Sequence, residues 1–345
     1  MDVIKTNFIE LLPKIKKSID EADFIAIDTE LTGLGKERTF NLFDTQAERY
    51  SKIRRTSFDY LMIQLGLTAF HSSDRDSNTF TCECYNFYIF PYKANGASKS
   101  FDRSFLVQPS ALSFLVNHDF DFNKWIKEGI TYLNIEEEEK FLESLKKREE
   151  EKQEGSKNYV PEEHKKFIDE FMNSLQNFVQ DSKRDRLELS PCSAYRRKLI
   201  YESAKRSQFD NIRLSTCQVS SNSSNRFIAI DKVPKEQQMI DRENLILETI
   251  GMSKVVQHLI QSKKPVVGHN VLLDLMHIIH HFIAPLPDSY CDFKNMLKEL
   301  FPYCYDTKLI ASASQFKELL PSMICHCISL LILSSCFNFY RHSPS

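Results

Sequence analysis

Glycine is scarce in this chain, with 8 residues in 345. Phosphate-cradling loops need several glycines at fixed spacing, because backbone N–H groups must approach the phosphate where a Cβ would intrude. No such run is present, which excludes P-loop and dinucleotide-fingerprint chemistry. Charge of one sign is lacking as well. A formal net charge of −2 provides no global field to gather a polyanion, so any nucleic-acid contact must rest on local basic patches. The 9 cysteines are scattered, odd in number and without a CxxC pair. Cys82-x-Cys84 and Cys325-x-Cys327 have no matching partners for a zinc site. The N-terminal residues from Met1 to Thr6 lack the basic-then-apolar order of a secretion signal, and the thiols read as free in a reducing compartment, cytosol or nucleus. Long apolar runs are missing too. The strongest, Met323–Phe337, falls short of the ~20 residues a membrane helix needs and is broken by His326, so a membrane association is not expected.

What is present is enough apolar and aromatic material for a substantial core, with 26 phenylalanines and a length that allows one large domain or two to three smaller ones. Ile4, Phe8, Leu11, Leu12, Ile15 and Ile19 fall on one helical face. A short strand over Phe24–Asp28 follows. A charged helix over 45–55, a doubly buried strand over 60–68 and an alternating β-rich run over 79–90 come next, and the three strands predict an antiparallel meander. Residues 109–117 read as a short helix. Asp119–Trp125 reads as aromatics packed beside a loop. Residues 134–154 carry charges at four-residue spacing, the mark of a solvated helix.

After a linker the rhythm changes. A helix over 164–180, a basic stretch at 183–186, a helix around 195–201 and a strand pair over 212–219 and 226–230 make an inserted α+β module. Then come a charged helical segment over 234–250, a helix over 255–262, a short strand at 265–268 and a polar turn. Asn270 reads as the cap of the helix over 271–282, and a further helix covers 293–301.

The chemistry centres on Phe24-Ile-Ala-Ile-Asp-Thr-Glu-Leu-Thr-Gly33. Strand side chains alternate, so Asp28 and Glu30 point to one face at the end of a buried strand. Two adjacent carboxylates are costly to desolvate unless a cation lies between them, and a divalent metal pair is one route to phosphodiester hydrolysis. A bare Asp-x-Glu is more often a solvated strand end. A second strand–turn–helix, Gly268-His269-Asn270 leading to Asp274 in the first turn, adds a third acid and makes the combination more specific.

The segments EADFIAIDTELTGL, FDTQAERYSKI, QLGL, NFYIFP, FDFNKWIKEGITYLN, RRKLIY, VVGHNVLLDLMH, PLPDSY and FPYCYDTKLIAS, in this order, resemble the poly(A)-specific ribonucleases of the DEDD group of 3′→5′ exonucleases. The resemblance covers about residues 1–320. It implies a ribonuclease-H-like α/β core with a mixed sheet, split into residues 1–155 and 236–320 by a small single-strand nucleic-acid-binding insert at 162–235, with an atypical apolar tail over 321–345. It implies Asp28, Glu30 and Asp274 as catalytic metal ligands, two Mg²⁺ ions, removal of poly(A) tails with release of AMP, and action in nucleus and cytoplasm. Single-stranded RNA with poly(A) 3′ ends is the implied partner, and a homodimer is a further option. The insert is named in the family for an Arg and a His with three residues between them. Here the pair is Arg197 and Tyr201. Leu31 stands where an aromatic is common.

The family also needs a fourth acid preceded by a His or Tyr. No Asp or Glu follows Leu320, and the tail reads as a replacement sequence, so the chain as written is expected to bind metal weakly and turn over slowly. A catalytically inactive RNA-binding protein and an exonuclease that trims small-RNA 3′ ends are the two rival readings. Arg196, Arg197 and Lys198 read as RNA-phosphate contacts. Phe114, Phe120 and Phe122 read as base-stacking candidates, with core packing as the competing role. His269 reads as a structural tie of its turn. His277, His280 and His281 read as packing and surface residues rather than zinc ligands, and Asp306 as structural though within reach of the site.

Overall fold

The structure is a computed structural model that describes residues 1–35, 41, 43–72, 79–92, 103–153, 160–206, 209, 211–220 and 225–312. The apolar run that precedes the two acids forms a central strand of a six-stranded sheet. In chain order the elements are β1 (Asp2–Val3), α1 (Phe8–Glu21), β2 (Phe24–Leu31), α2 (Gln46–Ser57), β3 (Met62–Ser72), β4 (Phe80–Tyr88), α3 (Pro109–Asn117), α4 (Phe122–Glu128) and α5 (Ile135–Gln153). They continue as α6 (Glu162–Gln180), β5 (Arg186–Glu188), α7 (Ala194–Arg206), β6 (Ile212–Gln218), β7 (Arg226–Lys232) and α8 (Lys235–Ile250). The last six are α9 (Ser253–Ser262), β8 (Val266–Gly268), α10 (Leu272–Phe282), α11 (Tyr290–Leu300), β9 (Cys304–Asp306) and α12 (Thr307–Ser312).

The chain divides into two compact units, Met1–Lys140 with Ile246–Ser345, and Phe141–Leu245. The edges of the insertion fall inside α5 and α8, where the sequence reading set them at 162 and 235. In the first unit the strand order is β1-β4-β3-β2-β8-β9. β2, β3 and β4 form the antiparallel meander, while β8 runs parallel to both β2 and β9. β3 is buried over eight successive residues, Met62–Ala69, the pattern of a strand covered on both faces. α1 lays Phe8, Leu12, Ile15 and Ile19 into the core, as its spacing requires. α10 is buried around most of its circumference, including His277 and His281, so these two histidines are packing residues.

Three sequence expectations change. Asp119–Trp125 is not aromatics beside a loop. Asp121 caps α4 by accepting from Lys124 N at 2.9 Å, and the dense aromatic content had masked a helical turn. The first turn of α5 is tied down rather than solvated: Glu137 pairs with Arg103, and Glu138 with Lys254 at 2.5 Å. The insertion carries a three-stranded antiparallel sheet, β5-β7-β6, rather than a hairpin. β5 is three residues long, too short for alternation to show. The N-terminal strand β1, pairing parallel to β4, is likewise too short to be read.

The second unit has its own core, with Ile168, Phe171, Leu175 and Phe178 of α6 against Leu199 and Ile200 of α7 and Ile228 and Ile230 of β7. Among the described residues no helix is long and apolar enough to cross a membrane. The apolar stretch Met323–Phe337 lies outside them.

Candidate active site

β2 delivers Asp28 and Glu30 and α10 delivers Asp274, all within the first unit. Asp28 is paired in the antiparallel ladder with Gly66, which has no side chain, and Glu30 with Gln64. The register shifts between Glu30 and Leu31, a bulge of the kind that re-aims a side chain at a strand end. Just beyond, the chain is pinned. Leu61 O accepts from Thr32 N at 2.9 Å, and Gln108 N donates to Thr32 O at 2.8 Å. A Cβ on Gly33 would lie 2.3 Å from the Tyr60 ring, so only glycine allows this approach. Leu31 is buried, 7% exposed and part of the main core, and so presents no surface for stacking.

The three carboxylates resist ionisation. Burial lifts Asp28 to about 6, against a backbone hydrogen bond from Thr29 that lowers it. Burial lifts Glu30 to about 8, and repulsion from Asp28 and then Asp274 adds to it. Burial lifts Asp274 to about 7, with the Thr29 hydroxyl lowering it and the Asp28 charge raising it. Thr29 Oγ1 donates to Asp274 Oδ1. Glu30 therefore feels both of the other acids, although they lie on different elements. The set is all-carboxylate, hard oxygen donors suited to Mg²⁺ or Mn²⁺ rather than to a soft metal. A cation here would offset both burial and repulsion, so the residues fit a metal. Among the described residues no three His, Cys, Asp or Glu side chains close tightly around one point. The acids are near enough to repel one another.

The turn before α10 differs from its sequence reading in one respect. Asn270 does not cap the helix. It lies in the left-handed region at φ 57°, and the cap position is Val271, with no side-chain cap bond. The physical reason is that a residue at positive φ cannot present its side chain back to the first-turn N–H groups in the capping geometry. The turn ahead of the helix is instead held by Asp306, whose carboxylate accepts from Asn270 N at 2.9 Å and Val271 N at 3.2 Å. The sequence reading of Asp306 as structural agrees with this, although the sequence does not show what it holds. His269 Nδ1 lies 3.0 Å from Thr307 Oγ1, the structural tie its position predicted.

The remaining candidates are not one surface. Phe114 is 53% exposed, with its ring 4.1 Å from that of His118. Phe120 and Phe122 instead pack with each other and Trp125, which gives them to the core. In the second unit Arg196 is exposed and stacks over Phe167 at 4.7 Å, and Lys198 faces Glu202 at 3.8 Å. Arg197 donates to the carbonyls of Cys192 and Arg226. Tyr201 shares a 3.1 Å hydrogen bond with Thr216, tying α7 to β6.

Residues 3–343 match the CAF1 family ribonuclease. The chain is 36% identical over 344 residues to the poly(A)-specific ribonuclease PARN of Xenopus laevis, covering 93% of this chain and 53% of that protein. It is 32% identical over 327 residues to the pre-piRNA 3′-exonuclease trimmer of Bombyx mori, covering 92% of this chain and 59% of that protein. The chain thus spans about half the length of the known relatives it matches. Among solved structures, the Mg²⁺- and Mn²⁺-bound form of S. pombe Pop2p aligns with a TM-score of 0.43 and 12% identity, over 91% of this chain and 76% of that one.

Proposed function

Since this chain belongs to the CAF1 family of ribonucleases, with RNA as its class of substrate, we propose that it is a metal-dependent 3′→5′ exoribonuclease acting on poly(A) 3′ ends. The observation that carries the site assignment is the convergence of Asp28, Glu30 and Asp274, each held above its ordinary carboxylate range by burial. Asp28 and Glu30 would hold metal from the strand, and Asp274 would hold it from the helix. When bound, a Mg²⁺ pair supplies an activated water and stabilises the charge that develops on the phosphate. Thr29 orients Asp274 by its hydroxyl, and the pinned Thr32–Gly33 segment keeps Glu30 from swinging away. Attack on the terminal phosphodiester releases AMP from an adenylate tail.

The test is a 3′-end-resolved assay on labelled oligo(A). Stepwise shortening that needs Mg²⁺ or Mn²⁺ and falls at least ~100-fold in Asp28→Ala is the expected result. Shortening that survives chelation of metal, or survives Asp28→Ala, overturns the reading. A second reading has an observation behind it. The 32% identity to the Bombyx mori trimmer favours a small-RNA trimming role, and equal rates on oligo(A) and mixed-sequence 3′ ends would support it.

A further inference from the structure

Asp306 lies at the end of β9, level with Gly268 in the parallel pairing of β8 and β9. Its carboxylate does not point to a free surface role. Oδ1 accepts from Asn270 N at 2.9 Å and from Lys308 N at 2.9 Å, with Leu309 N at 3.4 Å, while Oδ2 accepts from Val271 N at 3.2 Å. One side chain therefore bonds first-turn donors of α12 and the backbone of the turn that leads into α10. Helix starts carry unpaired N–H groups and a positive dipole end, so an anionic acceptor there is well placed.

The turn it grips is demanding. Asn270 occupies the left-handed region at φ 57°, which a residue with a Cβ adopts at a cost. Gly268 admits no side chain, since a Cβ there would lie 2.4 Å from Val271 Cγ2, and 3.3 Å from the carbonyl of Ile27, next to Asp28. Thr307, adjacent to Asp306, donates to Gly268 O at 3.2 Å. Every residue from Gly268 to Val271 is thus held either to β9–α12 or against β2. Asp274 follows within the first turn of α10, so the direction of its carboxylate is set by this turn.

We propose that Asp306 is a positioning residue of the metal centre: by bonding the backbone of Asn270 and Val271 it holds the left-handed turn that launches α10 and so fixes Asp274 opposite Asp28 and Glu30. This rests on the metal reading given above for the three acids. Asp306 reaches the metal only through the backbone and Asp274, and its own oxygens are committed to N–H groups.

The experiment uses the full chain and two readouts. Hydrogen exchange at residues 270–274 reads the turn directly. Mn²⁺ titration, followed by the free-ion resonance signal, reads the site. Asp306→Ala should expose the amides of 270–274 to faster exchange and weaken Mn²⁺ binding about tenfold, the range seen when an outer-shell partner of a ligand is lost. Asp306→Asn, which keeps one carbonyl acceptor, should fall between. Asn270→Gly in the Asp306→Ala background should recover most of the Mn²⁺ affinity, because glycine adopts the left-handed turn without help. A purely structural edge role would not be rescued in this way. Wild-type exchange and affinity in Asp306→Ala, or no rescue by Asn270→Gly, overturns the proposal. If Asp274→Ala leaves Mn²⁺ affinity unchanged, the metal reading of the three acids is what fails, and the exchange data still decide whether Asp306 holds the turn.

Discussion

Thr29 separates Asp28 from Glu30 in the sequence, yet its hydroxyl donates to Asp274 on a helix more than two hundred residues away in the chain. This bond ties the strand and helix parts of the acid set directly, so it sets how Asp274 faces the other two. Thr29→Val removes the donor at nearly constant volume. Mn²⁺ affinity should fall about tenfold, while Thr29→Ser keeps it near the wild-type value. An unchanged titration in Thr29→Val would remove the hydroxyl from the site. The acids themselves were legible because Asp-x-Glu at the end of a buried strand is a local pattern. Nothing local marks Thr29, because its partner is remote in sequence. The same holds for Asp306. Its acceptors are backbone N–H groups on another segment, and no spacing rule marks them.

At the scale of elements, α10 shows how burial alters chemistry. Its histidines sit at helical spacing, which says that they share a face but not which environment that face meets. His277 and His281 are buried, and His281 Nε2 lies 3.3 Å from His277 Nδ1. Burial pushes His280 down to about 4, with the Arg103 and Arg54 charges adding to the effect and Asp59 opposing it, and pushes His281 well below its usual range. The sign of the consequence follows. A histidine whose folded pKa is depressed stays neutral in the fold while the unfolded chain takes up the proton. Its contribution is therefore complete above about 6.5 and is lost as pH falls toward 4. At about 1.4 kcal/mol per unit, His280 alone costs about 3 kcal/mol by pH 4. The raised acids Asp28, Glu30 and Asp274 work in the opposite direction, so the contribution is read as a difference. Urea unfolding of His280→Gln between pH 7 and 4 should lose about 3 kcal/mol less than wild type. Parallel curves for the two proteins would refute the assignment. Helix α4 makes the complementary point. Its aromatics were visible in the sequence, but Trp125 donating to Ile89 O at 2.6 Å shows that they form a wall rather than a loop edge.

On the scale of the whole molecule, a formal charge of −2 means that attraction to RNA must come from particular side chains. The second unit separates its basic residues by task. Arg196 and Lys198 are exposed, whereas Arg197 is bonded to the carbonyls of Cys192 and Arg226. Double replacement Arg196→Ala with Lys198→Ala should therefore reduce the salt slope of oligo(A) binding by about 1–2 and leave thermal stability intact. Arg197→Ala should instead destabilise the unit by about 1–3 kcal/mol, because charge-assisted bonds to partly buried carbonyls are lost. A salt slope that changes only in Arg197→Ala would reverse the two roles.

The sequence by itself determined the elements whose side chains repeat at a regular period. α1, the β2–β3–β4 meander, α6 and α10 were all set by apolar spacing, and the acid pair at the end of β2 came with them. Periodicity is a property of neighbours in the chain, so it needs no knowledge of the fold. The tertiary structure decided what depends on contacts between distant segments. It placed β5 beside β7, buried His277 and His281 of α10, joined Thr29 to Asp274, and gave the hold on the turn before α10 to Asp306 rather than Asn270. Each of these rests on a hydrogen bond or a desolvated environment that exists only once remote residues are brought together.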